Sequence, residues 1–458
     1  MWCHLRARAT QTIAWRRVCA GLGLLLAVLL PLGGAAAGLA AAPSANVTVF
    51  ATGLDNPRGL KFGPDGALYV AEGGRGGATS TVGQCPQVPP PIGPYTGGTT
   101  GGRISRIAPD GARATVADTF PSSQTSAPSG SLVSGVADIA FLGDALYAVL
   151  AGAGCSHGVP GTPNGIVKVD PDGTWQLVAD LGAFQAANPT KTIEPDDFEP
   201  DGTWYSLAAV GGALYAVEPN HGELDRITPD GRVSRVADLS ASQGHVIPTA
   251  LVVRDGDFYV GTLTTFPPVQ PIAGILRITP DGQVSRVATG LTAVLGVAFD
   301  DRGRLYALES SAASDGLPAP GTGAVVRVTA TGATETVATG LTVPTGMAFG
   351  PDGQLYVSNA GYGAPAGAGQ IVRIAVDAAP SAAPAPSVAP TPAPTVVPPP
   401  RPTPTSAPMP GLPNTGAGGG GPVAPATGPL AELLLGGAAL AVAGGALLRR
   451  RGGRRRAR

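Results

Sequence analysis

One phrase recurs six times along the chain: a short apolar strand, a tight turn, then a strand carrying a Leu/Phe-Tyr pair. From Gly59 it reads Gly-Leu-Lys-Phe-Gly-Pro-Asp-Gly-Ala-Leu-Tyr-Val, and from Gly346 Gly-Met-Ala-Phe-Gly-Pro-Asp-Gly-Gln-Leu-Tyr-Val. The six tyrosines are Tyr69, Tyr147, Tyr215, Tyr259, Tyr306 and Tyr356. A third strand follows each, and in most repeats a Pro-Asp-Gly turn and a fourth strand come next. Alternating apolar positions joined by Asp-Gly turns signal antiparallel hairpins. Four strands per repeat, without helical periodicity in the body, predict the blades of a β-propeller. The sixth repeat has only three strands and ends at Val376. The segment Asn46 to Leu54 matches the fourth strand of the fifth repeat, Ala333 to Leu341. Placed beside Ile371, it supplies the missing strand and removes an open sheet edge. The expected fold is all-β: a six-bladed propeller, residues 43–378, closed by its own N-terminal strand.

The ends read differently from the body. Arg6, Arg8, Arg16 and Arg17 precede an apolar run and then small residues, the pattern of a secretory signal peptide over 1–42. The Arg16-Arg17 pair leaves the twin-arginine and general export routes both open. Residues 379–411 are Ala/Pro/Ser/Thr-rich with almost no charge, so they cannot build a core and predict a disordered, extended stalk. Residues 412–458 begin Leu-Pro-Asn-Thr-Gly and continue through an apolar segment, 430–448, to an arginine tail. That segment is long enough for a transmembrane helix, and the arginines orient its end towards the cytoplasm. The three parts together resemble a sortase sorting signal, which implies attachment of Thr415 to the cell envelope. A plain single-pass membrane anchor is the other reading. Either way the propeller is expected outside the cell, with sortase or the membrane as the C-terminal partner.

The formal net charge is −1, but four arginines open the chain and seven close it. The body between them is therefore acidic, which argues against nucleic acid as a partner. Such a body suits cations, glycans, neutral small molecules or proteins, and a monomer is expected. Cys3 and Cys19 leave with the signal, and Cys85 and Cys155 remain as an expected disulfide in an oxidising compartment.

Blade topology places the long insertions 73–101, 151–165, 263–274, 310–323 and 360–369 on one face, together with the acidic run 194–201. Variable loops on a rigid scaffold are where function concentrates. The second strands end at Glu72, Leu150, Glu218, Thr262, Glu309 and Asn359. Glu72, Glu218, Glu309 and Asn359 are a candidate set for a hard cation such as Ca²⁺, which takes six to eight oxygens. The competing expectation is that they are solvated strand ends or bond to neighbouring loop amides. His157, His221 and His245 map to the same face without zinc spacing. Candidate ligand-binding residues are Glu72, Asn220, His221, His245, Asp196 and Asp197. The run from Glu194 to Asp201 lacks the spacing of an EF-hand, so an exposed acidic loop is expected there. No nucleophile elbow, phosphate loop or dinucleotide fingerprint is present.

These residues resemble the ScyD/ScyE family of secreted propeller-like proteins, over Val47 to Val376. The stretches that carry the likeness are Gly53 to Leu60 (Gly-Leu-Asp-Asn-Pro-Arg-Gly-Leu), Ile247-Pro-Thr249 leading into Tyr259 to Pro267, and Val343 to Gly346 with Tyr356 to Asn359. The chain departs from the family pattern at Gly202-Thr-Trp-Tyr205 and at Glu218 to Gly222. The blades are also similar, more distantly, to NHL repeats and gluconolactonase-type propellers. The resemblance implies a secreted propeller; the anchor, the absent catalytic motifs and the loop-bearing face point to a binding module of that type. The gluconolactonase likeness implies the alternative, a divalent-cation-dependent lactonase or esterase.

Overall fold

A computed structural model describes residues 41–263, 272–312 and 319–378. The signal segment up to residue 40, the stalk, the Leu-Pro-Asn-Thr-Gly motif with Thr415, segment 430–448 and the arginine tail lie outside the described residues. Among the described residues no helix is long and apolar enough to cross a membrane.

The strands form six antiparallel sheets arranged as the blades of a propeller. Blade 1 runs Pro57–Phe62, Leu68–Glu72, Thr96–Ile107 and Arg113–Gln124, and gains a fifth short strand, Val133–Ser134. Blades 2 to 5 begin with the innermost strands Val136–Leu142, Ser206–Val210, Pro248–Arg254 and Val294–Phe299. Blade 6 consists of Gly346–Phe349, Leu355–Asn359, Gly369–Ile374 and, on its outer edge, the N-terminal strand Val47–Leu54. Val47 pairs with Ile374 and Ala51 with Ile371, so the two ends of the propeller share one sheet. Just before that strand, the buried Asn46 donates Nδ2–H to Val337 O at 2.9 Å in blade 5 and to Ala375 O at 3.2 Å in blade 6. The closure is thus fastened to both neighbouring blades.

The repeated tyrosine explains how the blades adhere. Tyr69 meets Phe141 of blade 2, Tyr259 meets Phe299 of blade 5, Tyr306 meets Phe349 of blade 6, and Tyr356 meets Phe62 of blade 1. All four pairs are edge-to-face with centroids 4.8–5.1 Å apart. Each such pair contributes about 0.5–1.5 kcal/mol beyond its buried area. The outward turns are local: Asp65 accepts from Ala67 N at 3.1 Å and from the Tyr69 hydroxyl at 3.2 Å.

Two short helices, Leu181–Ala187 and Leu239–Gln243, follow the outer strands of blades 2 and 3. The sequence reading had no helix there. Five to seven residues are too few for a visible 3.6-residue period, and the cap is the legible part: Asp180 and Asp238 accept from Ala183 N and Ala241 N.

Candidate functional site at the loop-bearing mouth of the channel

The strand-end carboxylates are best understood with the backbone they hold. Before the innermost strands of blades 1, 4, 5 and 6 the chain passes through a non-glycine residue with positive φ: Asn56 (53°), Ile247 (45°), Ala293 (48°) and Val343 (39°). For β-branched residues this conformation costs on the order of 1–3 kcal/mol, so the surroundings must enforce it. The residue just ahead of three of these turns donates its N–H to the end of the second strand. Asp55 N bonds Glu72 at 2.6 Å, Thr292 N bonds Glu309 at 2.7 Å, and Thr342 N bonds Asn359 at 2.7 Å. In blade 3, Thr203 N bonds Glu218 at 3.1 Å. The bond recurs in four blades, and in blades 1, 5 and 6 it sits directly ahead of the left-handed residue.

These acceptors are further occupied by their own blades. Glu72 is fully buried and takes Arg103 through both oxygens, Nε at 2.9 Å and the terminal nitrogen at 2.6 Å, as well as the Ser105 hydroxyl. Glu218 accepts His221 N at 2.6 Å and lies 3.3 Å from His221 Nδ1. Burial opposes charge on both members of that pair, yet their mutual attraction wins: Glu218 is held below its ordinary value and His221 above. Burial raises Glu309, with only the Thr292 N–H opposing. Each of the four residues proposed for Ca²⁺ thus accepts a backbone N–H, and Glu72 takes a guanidinium as well. Among the described residues no group of three or more His, Cys, Asp or Glu side chains is placed to hold a metal.

What the turns do create is a cavity of about 180 Å³ at the loop-bearing mouth. Arg58, Tyr205, Tyr362, Tyr95, Glu199 and Asn220 supply its polar groups, and Ile92, Ile247 and Leu295 line its apolar wall. Each arrives for a local reason. Arg58 follows the left-handed Asn56, and Gly59 after it has no alternative, since a Cβ there would fall 1.9 Å from Asp138 Oδ1. Tyr205 opens the innermost strand of blade 3, next to the fully buried Trp204, whose Nε1–H bonds Asp225 at 3.0 Å. Tyr362 follows Gly361, where a Cβ would meet Pro57 O at 2.3 Å. A second chamber of about 210 Å³ continues down the channel, and Tyr205, Thr249 and Leu295 border both spaces.

The acidic run from Glu194 to Asp201 is only partly the exposed loop expected. Asp196 is exposed, but Glu199 is buried and Asp201 accepts from Ser156 N at 2.6 Å. Asp197 accepts Asn220 Nδ2–H at 2.9 Å and lies 3.0 Å from His245 Nε2, while Asn220 Oδ1 accepts the Thr203 hydroxyl at 2.6 Å. Asn220 and Asp197 thus reach the cavity wall. Glu72, His221, His245 and Asp196 do not line it.

Behind the wall, Tyr95 donates to Glu199 Oε1 at 3.1 Å, and Glu199 Oε2 lies 3.6 Å from His157 Nε2. Burial raises Glu199 well above the ordinary carboxyl value, with the Asp197 charge adding to it, and burial lowers His157 to about 4. Burial disfavours the charged form of both groups. The two groups pull stability in opposite senses. His157 lowers stability as pH falls from 6.5 towards 4. The contribution of Glu199 is complete below its ordinary value of 4.5 and is lost as pH rises through its raised folded value. Between its ordinary and its raised folded value, Glu199 costs up to about 1.4 kcal/mol of stability per pH unit. Glu199→Gln keeps an acceptor for Tyr95 and removes that slope. Urea denaturation from about pH 4.5 upward should therefore show the variant gaining on the wild type as pH rises; parallel pH curves would place the carboxylate in water instead.

Cys85 and Cys155 form a disulfide joining the insertions of blades 1 and 2, with Cα atoms 6.3 Å apart. The residues that sequence reasoning missed are Arg58, Tyr95, Glu199, Tyr205 and Tyr362. The one available signal was Asn-Pro-Arg-Gly, an arginine set between a turn and a glycine at the start of an inner strand.

The fold and this mouth define a six-bladed β-propeller with a ligand-sized cavity at one end of its channel. No protein-family model and no curated protein matches the chain. Among solved structures it is similar to a gluconolactonase from Xanthomonas campestris (12% identity over 72% of this chain and 89% of that one, TM-score 0.45). It is likewise similar to a putative glucose dehydrogenase from Thermus thermophilus (17%, 72% and 99%, 0.45) and to a streptogramin B lyase (14%, 72% and 97%, 0.40). Likeness at this level says nothing of what this chain binds or turns over.

Proposed function

We propose that this chain is an extracellular binding module, a propeller held on a stalk at the cell envelope, whose ligand site is the loop-face cavity. The observation that carries the reading is the cavity itself: an apolar wall with a few convergent polar groups at the channel mouth, the usual composition of a small-molecule site. The secretory N-terminus, the Pro-rich spacer and the sorting-signal resemblance around Thr415 support display outside the cell, and the ScyD/ScyE resemblance agrees with it. The alternative reading is a divalent-cation-dependent lactonase or esterase working at the same channel mouth.

The test is a thermal-shift screen of small molecules and glycans against the purified chain, repeated with Leu295→Trp, which puts an indole into the cavity. Ligands that stabilise the wild type should bind at least about tenfold more weakly to the variant, a difference of about 1.4 kcal/mol. Hits that bind both proteins alike would move the site elsewhere, and a screen without hits would remove the binding-module reading.

A further inference from the structure

The chemistry of the cavity wall is specific enough to name a ligand class. Arg58 is 4% exposed, yet among the described residues it forms no ion pair. Its guanidinium bonds only neutral oxygens: the Tyr205 hydroxyl at 3.4 Å and Val133 O. Those two bonds use two of five N–H donors. Its flat face lies over Tyr362, with Cζ 4.7 Å from the ring centroid, and Tyr205 sits 5.9 Å away on the same measure. The rings fix the plane of the fork without neutralising it. A buried guanidinium that lacks a carboxylate is costly, because burial removes its hydration without returning an opposite charge.

The carboxylates nearby do not fill that role. Asp138 is taken by Lys61 Nζ at 3.0 Å, the Ser206 hydroxyl at 3.0 Å and Leu207 N at 2.9 Å. Asp197, on the cavity wall, is held by Asn220 and His245. Glu199, also on that wall, accepts from the Tyr95 hydroxyl at 3.1 Å, and burial disfavours its charged form. The charge of Arg58 is therefore left for something that enters the cavity.

We propose that the cavity binds a small organic monoanion, a carboxylate on a flat apolar body, with the carboxylate against the Arg58 guanidinium and the body between the tyrosines and the aliphatic wall. This rests on the cavity being the ligand site. A planar carboxylate matches the guanidinium fork through two parallel hydrogen bonds. A phosphate dianion suits the site less, because one cation faces it while Asp197 and the other acidic loop residues repel the second charge. Ile92, Ile247 and Leu295 offer nothing to a hydrated sugar but match an aromatic or alicyclic ring.

The probes are benzoate and phenylacetate, each set against its neutral amide, titrated into the purified chain by calorimetry at pH 7.5. The acids should bind at least tenfold more tightly than the amides. Arg58→Gln should abolish the preference, leaving acid and amide within about twofold, and Arg58→Lys should retain part of it. Near-ultraviolet circular dichroism checks that the variants are folded, and the acid-to-amide ratio of the wild type is decisive without them. Amides that bind as well as acids would overturn the anion assignment while leaving the cavity as the ligand site. Acids that bind Arg58→Gln as tightly as wild type would overturn it too, as would acids that show no saturable binding.

Discussion

Glu72→Ala should destabilise the propeller by about 3–5 kcal/mol, the usual consequence of removing one member of a buried, hydrogen-bonded ion pair. Glu72 is the most heavily engaged of the strand-end acceptors, and its loss strands three donors at once. Arg103 loses its bidentate partner, Ser105 its acceptor, and Asp55 N the bond that holds the left-handed turn at Asn56. Asp55 remains as a longer ion-pair partner, 3.4 Å from the Arg103 terminal nitrogen, but it is shared with Arg75 at 2.9 Å and replaces only part of what is lost. The measurement is urea denaturation with EDTA and again with millimolar Ca²⁺. The same loss is expected in both, because these oxygens serve the backbone and Arg103. A wild-type stability that rises with Ca²⁺, and a Glu72→Ala stability that does not, would return Glu72 to a cation site. Because the turn at Asn56 delivers Arg58, the variant should also bind the acid probes more weakly even below its unfolding midpoint.

The second large effect is expected from the disulfide. Cys85 and Cys155 are 70 residues apart in sequence, and releasing a loop of that length returns entropy to the unfolded chain worth about 4 kcal/mol. The Cys85→Ser, Cys155→Ser double variant should show that loss in denaturation. A loss under about 1 kcal/mol would mean that the blade 1 and blade 2 insertions are held by their other contacts, of which the Thr81 hydroxyl to Cys155 O bond is one. The bridge also has a functional consequence. Tyr95 and Ile92 reach the cavity from the same insertion that Cys85 ties down. Loosening it should weaken ligand binding more than it disturbs the blades, and tyrosine fluorescence near the cavity should change before the global transition.

Much of the architecture was legible because a propeller writes its period into its sequence. Each Leu/Phe-Tyr pair marks a second strand, each Asp-Gly a hairpin, and the orphan strand at Val47–Leu54 announced its partner at Gly369–Ile374. The disulfide was legible from the pair of cysteines left in the body of the chain. The functional mouth was legible only as a face. Asn220 and Asp197 lie on the cavity wall, whereas Glu72, Glu218, Glu309 and Asn359 turned inward to backbone N–H groups. A carboxylate at a strand end carries the same letter whether it meets an ion, water or an amide, and only the neighbouring blade's backbone decides.

Arg58 makes the same point from the other side. In sequence it is one basic residue in a phrase shared with many blades. Its burial depends on Tyr205, 147 positions away, and its flat face on Tyr362, far along the chain but in the blade that closes the ring beside it. Likewise Glu199 sits in an acidic run that reads as solvated, and its burial comes from Tyr95 and His157 in the insertions of two other blades. The sequence alone determined the number of blades, the closing strand and the face that bears the loops, because these follow from local periodicity and pairing. Which side chains share the channel mouth, and which charges are left without partners there, was decided by the tertiary structure, because ring closure brings residues from all around the chain within a few ångströms of one axis.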